Sequence, residues 1–193
     1  MAAVVCTGAS GRLERMSRRH LEETRLREAA EAYFEKVWRF LWTLGVPKAS
    51  LDDAAQEVFL VAANKFADVR PGAERAYLFG TAVHIAHVFR RKHAREQLVD
   101  DPDEPTCEPT SPFTPESSFG EKEEHELLMR LIDGLPDDLR TVFVLYELED
   151  ESIPSIAAML GIPEGTATSR LRRAREKFER RRQRLQMRTR GET

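Results

Sequence analysis

Cysteine is scarce: Cys6 and Cys107 are the only two in 193 residues. They stand far apart and neither belongs to a CxxC pair, which excludes a disulfide framework and a structural zinc site of the usual spacing. A chain of this kind is expected to be reduced and cytosolic. Long apolar runs are missing too. No stretch approaches the roughly 20 residues needed to cross a bilayer, so membrane insertion is not expected. The opening residues, MAAVVCTGASGRLERM, have no leading positive charge and too short an apolar core for a signal peptide. Residues 1–24 are expected to form a disordered extension, with Met16 as a second candidate start. No segment alternates with period two for long enough to argue a strand. There is no glycine-rich phosphate loop and no nucleophile motif, so neither an enzyme nor a cofactor is expected. His84 and His87 sit three apart, with His93 nearby. Two histidines at that spacing can touch one metal, but no acidic or cysteine ligand is paired with them, and no metal is expected.

Excess charge is also lacking in the total, which is −3, yet not in its distribution. From Arg170 to Thr193 eleven Arg and Lys face only Glu176, Glu179 and Glu192, a net of eight positive charges. From Val99 to Glu124 nine acids face Lys122 alone, a net of eight negative. Such asymmetry suggests a polyanion partner for one part and a basic partner for another. Two solvated charged segments are the plainer alternative.

What the chain does have is helical spacing. Apolar residues fall at Leu26, Ala30, Tyr33, Val37, Leu41 and Leu44, with Phe34 and Phe40 alongside. GVPK ends this stretch. Ser50, with Asp53 three residues on, predicts a capped helix start. Ala55, Val58, Phe59, Ala62 and Phe66 form the next stripe, and ADVRPGAE a Pro-Gly loop. A third helix is predicted from about Glu74 to Ala94. Residues 25–98 thus read as a three-helix body, with a fourth short helix open from the residues before it. Composition then shifts. The segment 99–124 holds prolines at 102, 105, 109, 112 and 115 and almost no apolar residues. It cannot bury enough surface to offset the entropy of ordering, and is expected to be a flexible acidic linker. Its 26 residues span roughly 30 Å as a coil and about 85 Å extended, so two bodies could sit well apart on one large partner. Apolar spacing resumes at Leu127, Leu128, Leu131, Ile132 and Leu135, and after LPDD at Leu139, Val142, Phe143, Tyr146 and Leu148. Residues 125–182 form the second body and 183–193 a basic tail. The fold class expected is all-α: two small helical domains joined by a flexible linker.

The stretch SIPSIAAMLGIPEGTATSRLRRAREKF, Ser152 to Phe178, carries the sharpest signal. Ser152 suits an N-cap and Pro154 a first turn. Ile153, Ile156, Ala157 and Leu160 make one stripe, Gly161 suits a positive-φ turn, and Leu171, Ala174 and Phe178 face inward on a second helix. Helix, short glycine turn, helix is the helix-turn-helix pattern. The second helix of such a motif lies in the DNA major groove with its N-terminal residues at base edges. Here those are Thr166, Thr168, Ser169, Arg170, Arg172 and Arg173, whose hydroxyls and guanidinium groups suit bases and phosphates. Read alone, the pattern also fits a small hairpin with a solvated basic face, or a motif for protein contacts.

The stretch LPDDLRTVFVLYELEDESIPSIAAMLGIPEGTATSRLRRAREKF resembles the C-terminal promoter-binding domain of bacterial RNA polymerase sigma factors of the extracytoplasmic-function group. LDDAAQEVFLVAANKF resembles the family's polymerase-docking helix, and AYLFGTAVHIAHVFRRKHAR its promoter-melting helix. The likeness covers about residues 25–95 and 127–181. It implies that the first body binds core polymerase and the downstream promoter element, and that the second reads the upstream element. The acidic linker would thread a basic channel of the polymerase. The elements of such promoters lie about 16–20 base pairs apart, roughly 55–70 Å at ~3.4 Å per step. Asp53, Gln56, Glu57 and Phe59 match the docking motif. Tyr77, His84, His87, Arg90 and Arg91, with the loop Ala67–Ala73, are the residues implied for the downstream element. The family commonly has Asn at position 84, Asp at 88, Ser at 163 and Val at 167, where this chain has His84, Val88, Pro163 and Ala167. Partners implied are core RNA polymerase, promoter DNA and an anti-sigma protein. Competing readings are a sigma-like decoy that binds only an anti-sigma protein, and a helix-turn-helix regulator acting without core polymerase.

Overall fold

The computed structural model describes residues 7–96 and 119–191, with side chains described over 20–95 and 126–187. The linker through residue 118, Cys6 and Cys107 therefore lie outside the described residues. Seven α-helices, two single-turn 3-10 segments and no strand make up the described chain. They are α1 (Thr7–Thr43), α2 (Leu51–Ala63), α3 (Glu74–Glu96), α4 (Phe119–Asp133), α5 (Asp137–Glu147), α6 (Ile153–Leu160) and α7 (Glu164–Gly191).

Three expected boundaries move. Helix α1 runs back to Thr7, through the stretch expected to be disordered, and no separate fourth helix precedes it. No proline interrupts residues 7–43, and from residue 12 on the sequence is mostly Arg, Glu, Leu and Ala, all good helix formers. Helix α4 begins at Phe119, inside the expected linker, for the same reason: GEKEEHELL contains no proline. The basic tail is the continuation of α7, which holds its helix to Gly191.

Helices α1, α2 and α3 pack round Val37, Phe40, Leu41, Leu51, Val58 and Leu78, all with no exposed surface. Phe40 and Phe79 meet with ring centroids 4.8 Å apart at their centre. Truncating a buried Phe of this kind costs about 3–5 kcal/mol. The chain leaves α1 through Gly45, whose φ of 84° suits glycine. Ser50 stands at the N-cap of α2 as expected, but its side chain makes no capping bond. The 3-10 turn Lys48–Ser50 is the reason: it holds Ser50 at φ −111° and ψ 2°, away from the extended backbone from which an N-cap hydroxyl reaches the next amides.

Helices α4 to α7 pack round Ile132, Val142, Leu145, Ile156, Ala167 and Ala174. Phe143 and Phe178 stack at 4.9 Å and close the far end. Leu148, expected inward, is 41% exposed because it is the C-cap where α5 stops. The two bodies, which the linker length would let stand apart, share one continuous core. The buried guanidinium of Arg140 on α5 donates to Leu44 O of the α1–α2 turn at 3.1 Å and to Asp133 O and Leu135 O of its own body. Arg75 of α3 reaches across to Glu149 and Glu151. Arg90 of α3 pairs with Asp137 of α5 at 2.7 Å. Gly80 of α3 packs against Met159 of α6, where a Cβ would stand in ordinary contact, 3.5 Å from Met159 O.

Candidate nucleic-acid interface

Local chemistry builds the turn between α6 and α7 as the sequence predicts. The Ser152 hydroxyl accepts from the Ser155 N–H at 3.3 Å, with Pro154 in the first turn. Gly161 ends α6 in the left-handed region, at φ 62°. The N–H of Ile162 then bonds Ala157 O, and those of Thr166 and Ala167 bond Pro163 O, which starts α7 directly. Ala167, Leu171 and Ala174 are buried against the body. Ala167, where a larger Val is common in the family the sequence resembles, has no exposed surface at all.

That anchoring turns the other side of α7 to solvent, and there the six expected residues divide. The hydroxyl of Thr168 donates to Glu164 O and that of Ser169 to Thr166 O, so their protons are held by the helix and their oxygens remain as acceptors. Arg170 is half-buried and pairs with Asp138 of α5 at 3.5 Å. Arg172 pairs with Glu176 at 2.6 Å. Arg173 is exposed, meets no carboxylate among the described residues, and donates only to Ser169 O. Thr166 is half-buried beside it.

The candidates on α3 do not share one face. Tyr77 and His84, with Thr81, line an open groove of about 470 Å³ against Val61 of α2 and Asn64 and Lys65 of the turn that follows it. Val88 and Arg91 continue that face at helical spacing, and both are exposed. His87 and Arg90 turn instead toward the second body. Arg90 is spent on Asp137. The Nε2 of His87 is buried without a partner. Burial lowers the His87 pKa, Asp137 raises it, and Arg90, Arg91 and His84 lower it further. Sequence spacing along a long helix could not separate these two sets, because the docking of α5 on α3 decides which side is covered. Among the described residues no three His, Cys, Asp or Glu side chains come together to hold a metal ion.

On α2, Asp53, Gln56 and Glu57 are exposed on one face. Leu60, one turn further, is 63% exposed and was not picked out from the sequence; an exposed leucine in line with three polar residues was the available signal. Phe59 lies at the edge of that face, half-buried, and stacks on Phe34 of α1 at 5.7 Å.

A helix-turn-helix carried by one of two all-helical bodies defines a DNA-binding protein by class. The family model "Sigma-70, region 4" matches residues 125–178, which is this second body. The ECF RNA polymerase sigma-E factor of Escherichia coli is 30% identical over 142 residues, covering 69% of this chain and 74% of that protein. The ECF RNA polymerase sigma factor SigE of Mycolicibacterium smegmatis is 24% identical over 151 residues, and this chain spans 59% of its length. The chain belongs to the extracytoplasmic-function sigma factors of the sigma-70 family. Among solved structures, the sigma factor RpoE in complex with the anti-sigma factor NepR, from Bartonella quintana, has a TM-score of 0.65 at 21% identity, covering 80% of this chain and 94% of that one. CnrH in complex with the cytosolic domain of CnrY has a TM-score of 0.57, covering 81% and 86%. Both share the fold. No helix among the described residues is long and apolar enough to cross a membrane.

Proposed function

We propose that this protein binds core RNA polymerase in the cytoplasm and directs it to promoters, as an initiation factor and not an enzyme. The observation that carries the reading is the exposed face of α7. Its buried side is fixed by Ala167, Leu171 and Ala174, which leaves Thr166, Ser169, Arg170 and Arg173 to meet the upstream element in a major groove. Thr168 and Arg172 flank that face and suit phosphates. The first body, residues 25–98, takes the polymerase on α2 through Asp53, Gln56 and Glu57, with Leu60 and the edge of the Phe34–Phe59 pair as the apolar complement. Its groove beside Tyr77 and His84 suits an unpaired base, since stacking on aromatic rings is worth about 1–3 kcal/mol per base. Arg91 suits the strand's phosphates, whereas His87 and Arg90 would have to leave the second body first. The sigma factor RpoE, of the same fold, was solved with the anti-sigma factor NepR, which supports such a partner here.

The test is run-off transcription with purified core polymerase on a random promoter library, with permanganate probing of unpaired thymines. Promoter-dependent transcripts and reactive thymines are expected. A chain that binds core polymerase and never opens DNA is a decoy, and one that binds DNA equally with and without polymerase is an ordinary regulator; either result overturns the proposal.

A further inference from the structure

Helix α7 is longer than a groove needs. From Thr166 to Arg173 it rises about 10 Å, already close to the ~12 Å width of the major groove. It then continues to Gly191, past the end of the matched region at residue 178. Along this continuation the cations are sorted by side. Arg173, Lys177, Arg180 and Arg184 stand at i, i+4, i+7 and i+11, which places them within one narrow stripe of the helix. Thr166, Ser169 and Arg170 lie on the same stripe one to two turns earlier. The side chains of all four cations are exposed. None meets a carboxylate among the described residues; Arg173 and Arg180 each donate only to a carbonyl of their own helix.

Other arginines of the helix with described side chains are spent elsewhere. Arg172 pairs with Glu176, Arg175 with Glu147 and Arg182 with Glu179, all off the stripe. Arg181 lies over Gly134. Carboxylates of α5 and α7 thus meet one set of cations, and from Arg173 on another set stands bare along the side that carries Thr166 and Ser169.

We propose that Lys177, Arg180 and Arg184 form a phosphate rail: a sequence-independent site for the DNA backbone flanking the upstream element, separate from the base-reading turns. Arg184 lies about 16 Å beyond Arg173 along the axis, outside the groove and over the rim. A cation there meets phosphodiesters, not base edges. The rail rests on the reading that α7 enters the groove by its N-terminal turns. Its ligand is the one polyanion that reading already brings to this side of the helix, which is why we choose DNA over an acidic protein surface.

Neutralising phosphates releases counterions, so each rail contact adds about 0.9 to the slope of log affinity against log salt. The experiment uses the full chain bound to core polymerase and a duplex that the complex has selected from a random library. The triple variant Lys177→Gln, Arg180→Gln, Arg184→Gln keeps helix propensity. Its slope should fall by about 2 to 3. Between about 50 and 200 mM salt the unmodified protein should lose roughly 40-fold more affinity than the variant. The ratio of selected to scrambled duplex should not change, because phosphate contacts carry no sequence information. Arg182→Gln, an exposed arginine off the stripe, should leave the slope unaltered. An unchanged slope in the triple variant overturns the rail, as does a fall in the selected-to-scrambled ratio, which would make these cations base readers. So does weakened polymerase binding at constant slope, which would mark a protein-facing stripe. If the unmodified protein prefers no sequence at all, the groove-reading role of α7 fails with the rail, and that result is distinct from the other three.

Discussion

Two glycines of this chain share a positive φ and differ in what surrounds them. A Cβ on Gly161 would meet nothing within 4 Å, whereas one on Gly45 would collide with the Arg140 guanidinium. Gly161→Ala should therefore cost only the strain of the left-handed region, about 1 kcal/mol. Gly45→Ala adds the displacement of a buried cation from its carbonyls, for a total of about 3 kcal/mol or more. Urea denaturation of both variants measures the difference, and equal losses would mean that Arg140 yields freely. His87 gives a second residue-scale expectation. It is half-buried on α3, facing Asp137 of α5, with Arg90, Arg91 and His84 as its charged neighbours and Arg140 beyond Asp137. Its folded pKa lies below the ordinary value, so the unfolded chain binds the proton more readily. The stability it contributes is full above the unfolded pKa of about 6.5 and is lost as pH falls from there toward the folded value. Comparing thermal midpoints at about pH 7.5 and about pH 5.5, the drop should be smaller in His87→Gln than in the unmodified chain. An equal drop would place the acid sensitivity elsewhere.

At the scale of elements, α2 is the clearest case of a helix with two faces, the outer one proposed to dock polymerase. Leu51, Ala54, Ala55, Val58 and Ala62 face the core, and Asp53, Gln56, Glu57 and Leu60 face outward. Asp53→Lys with Glu57→Lys should lower core-polymerase affinity about tenfold or more, near 1.4 kcal/mol. Asp53 stands in the first turn, where a cation opposes the helix dipole, so a loss of about 0.3–1 kcal/mol in stability should accompany it. Undiminished affinity with an intact helical spectrum would move the docking face elsewhere. This helix, α3 and the α6–turn–α7 motif were all legible from periodicity, because their apolar stripes, the Ser152 cap and the Gly161 turn are local chemistry. The start of α1 was not. Its first turns lack a strong apolar stripe, and composition without a stripe reads equally well as helix or coil. The division of Tyr77 and His84 from His87 and Arg90 was not legible either, since it depends on where α5 comes to rest. The Ser50 cap failed for a subtler reason: the preceding 3-10 turn sets a backbone angle from which the hydroxyl makes no capping bond.

The molecule as a whole is closed. Arg140 in the Leu44 carbonyl, Arg75 on Glu149 and Glu151, Arg90 on Asp137 and the Gly80–Met159 contact hold its two bodies face to face. Burial pushes the Glu149 carboxyl above its ordinary range against the pull of Arg75, so this junction has been largely withdrawn from water. Arg75→Glu should set three carboxylates together there and part the bodies. Small-angle scattering should show a larger radius of gyration with helix content unchanged, and an unaltered radius would mean that the core alone holds the closure. On the reading proposed above, each body meets its own promoter element, and elements some tens of ångströms apart cannot both be reached by bodies in contact. On that reading the second body is, in effect, a tethered competitor for the His87 and Arg90 side of α3, always present and undilutable. Each kcal/mol by which it favours the closed state lowers the apparent promoter affinity roughly fivefold. Substitutions at this junction should consequently show an inverted relation between stability and activity: the variant that melts earlier is the one that binds its promoter more tightly.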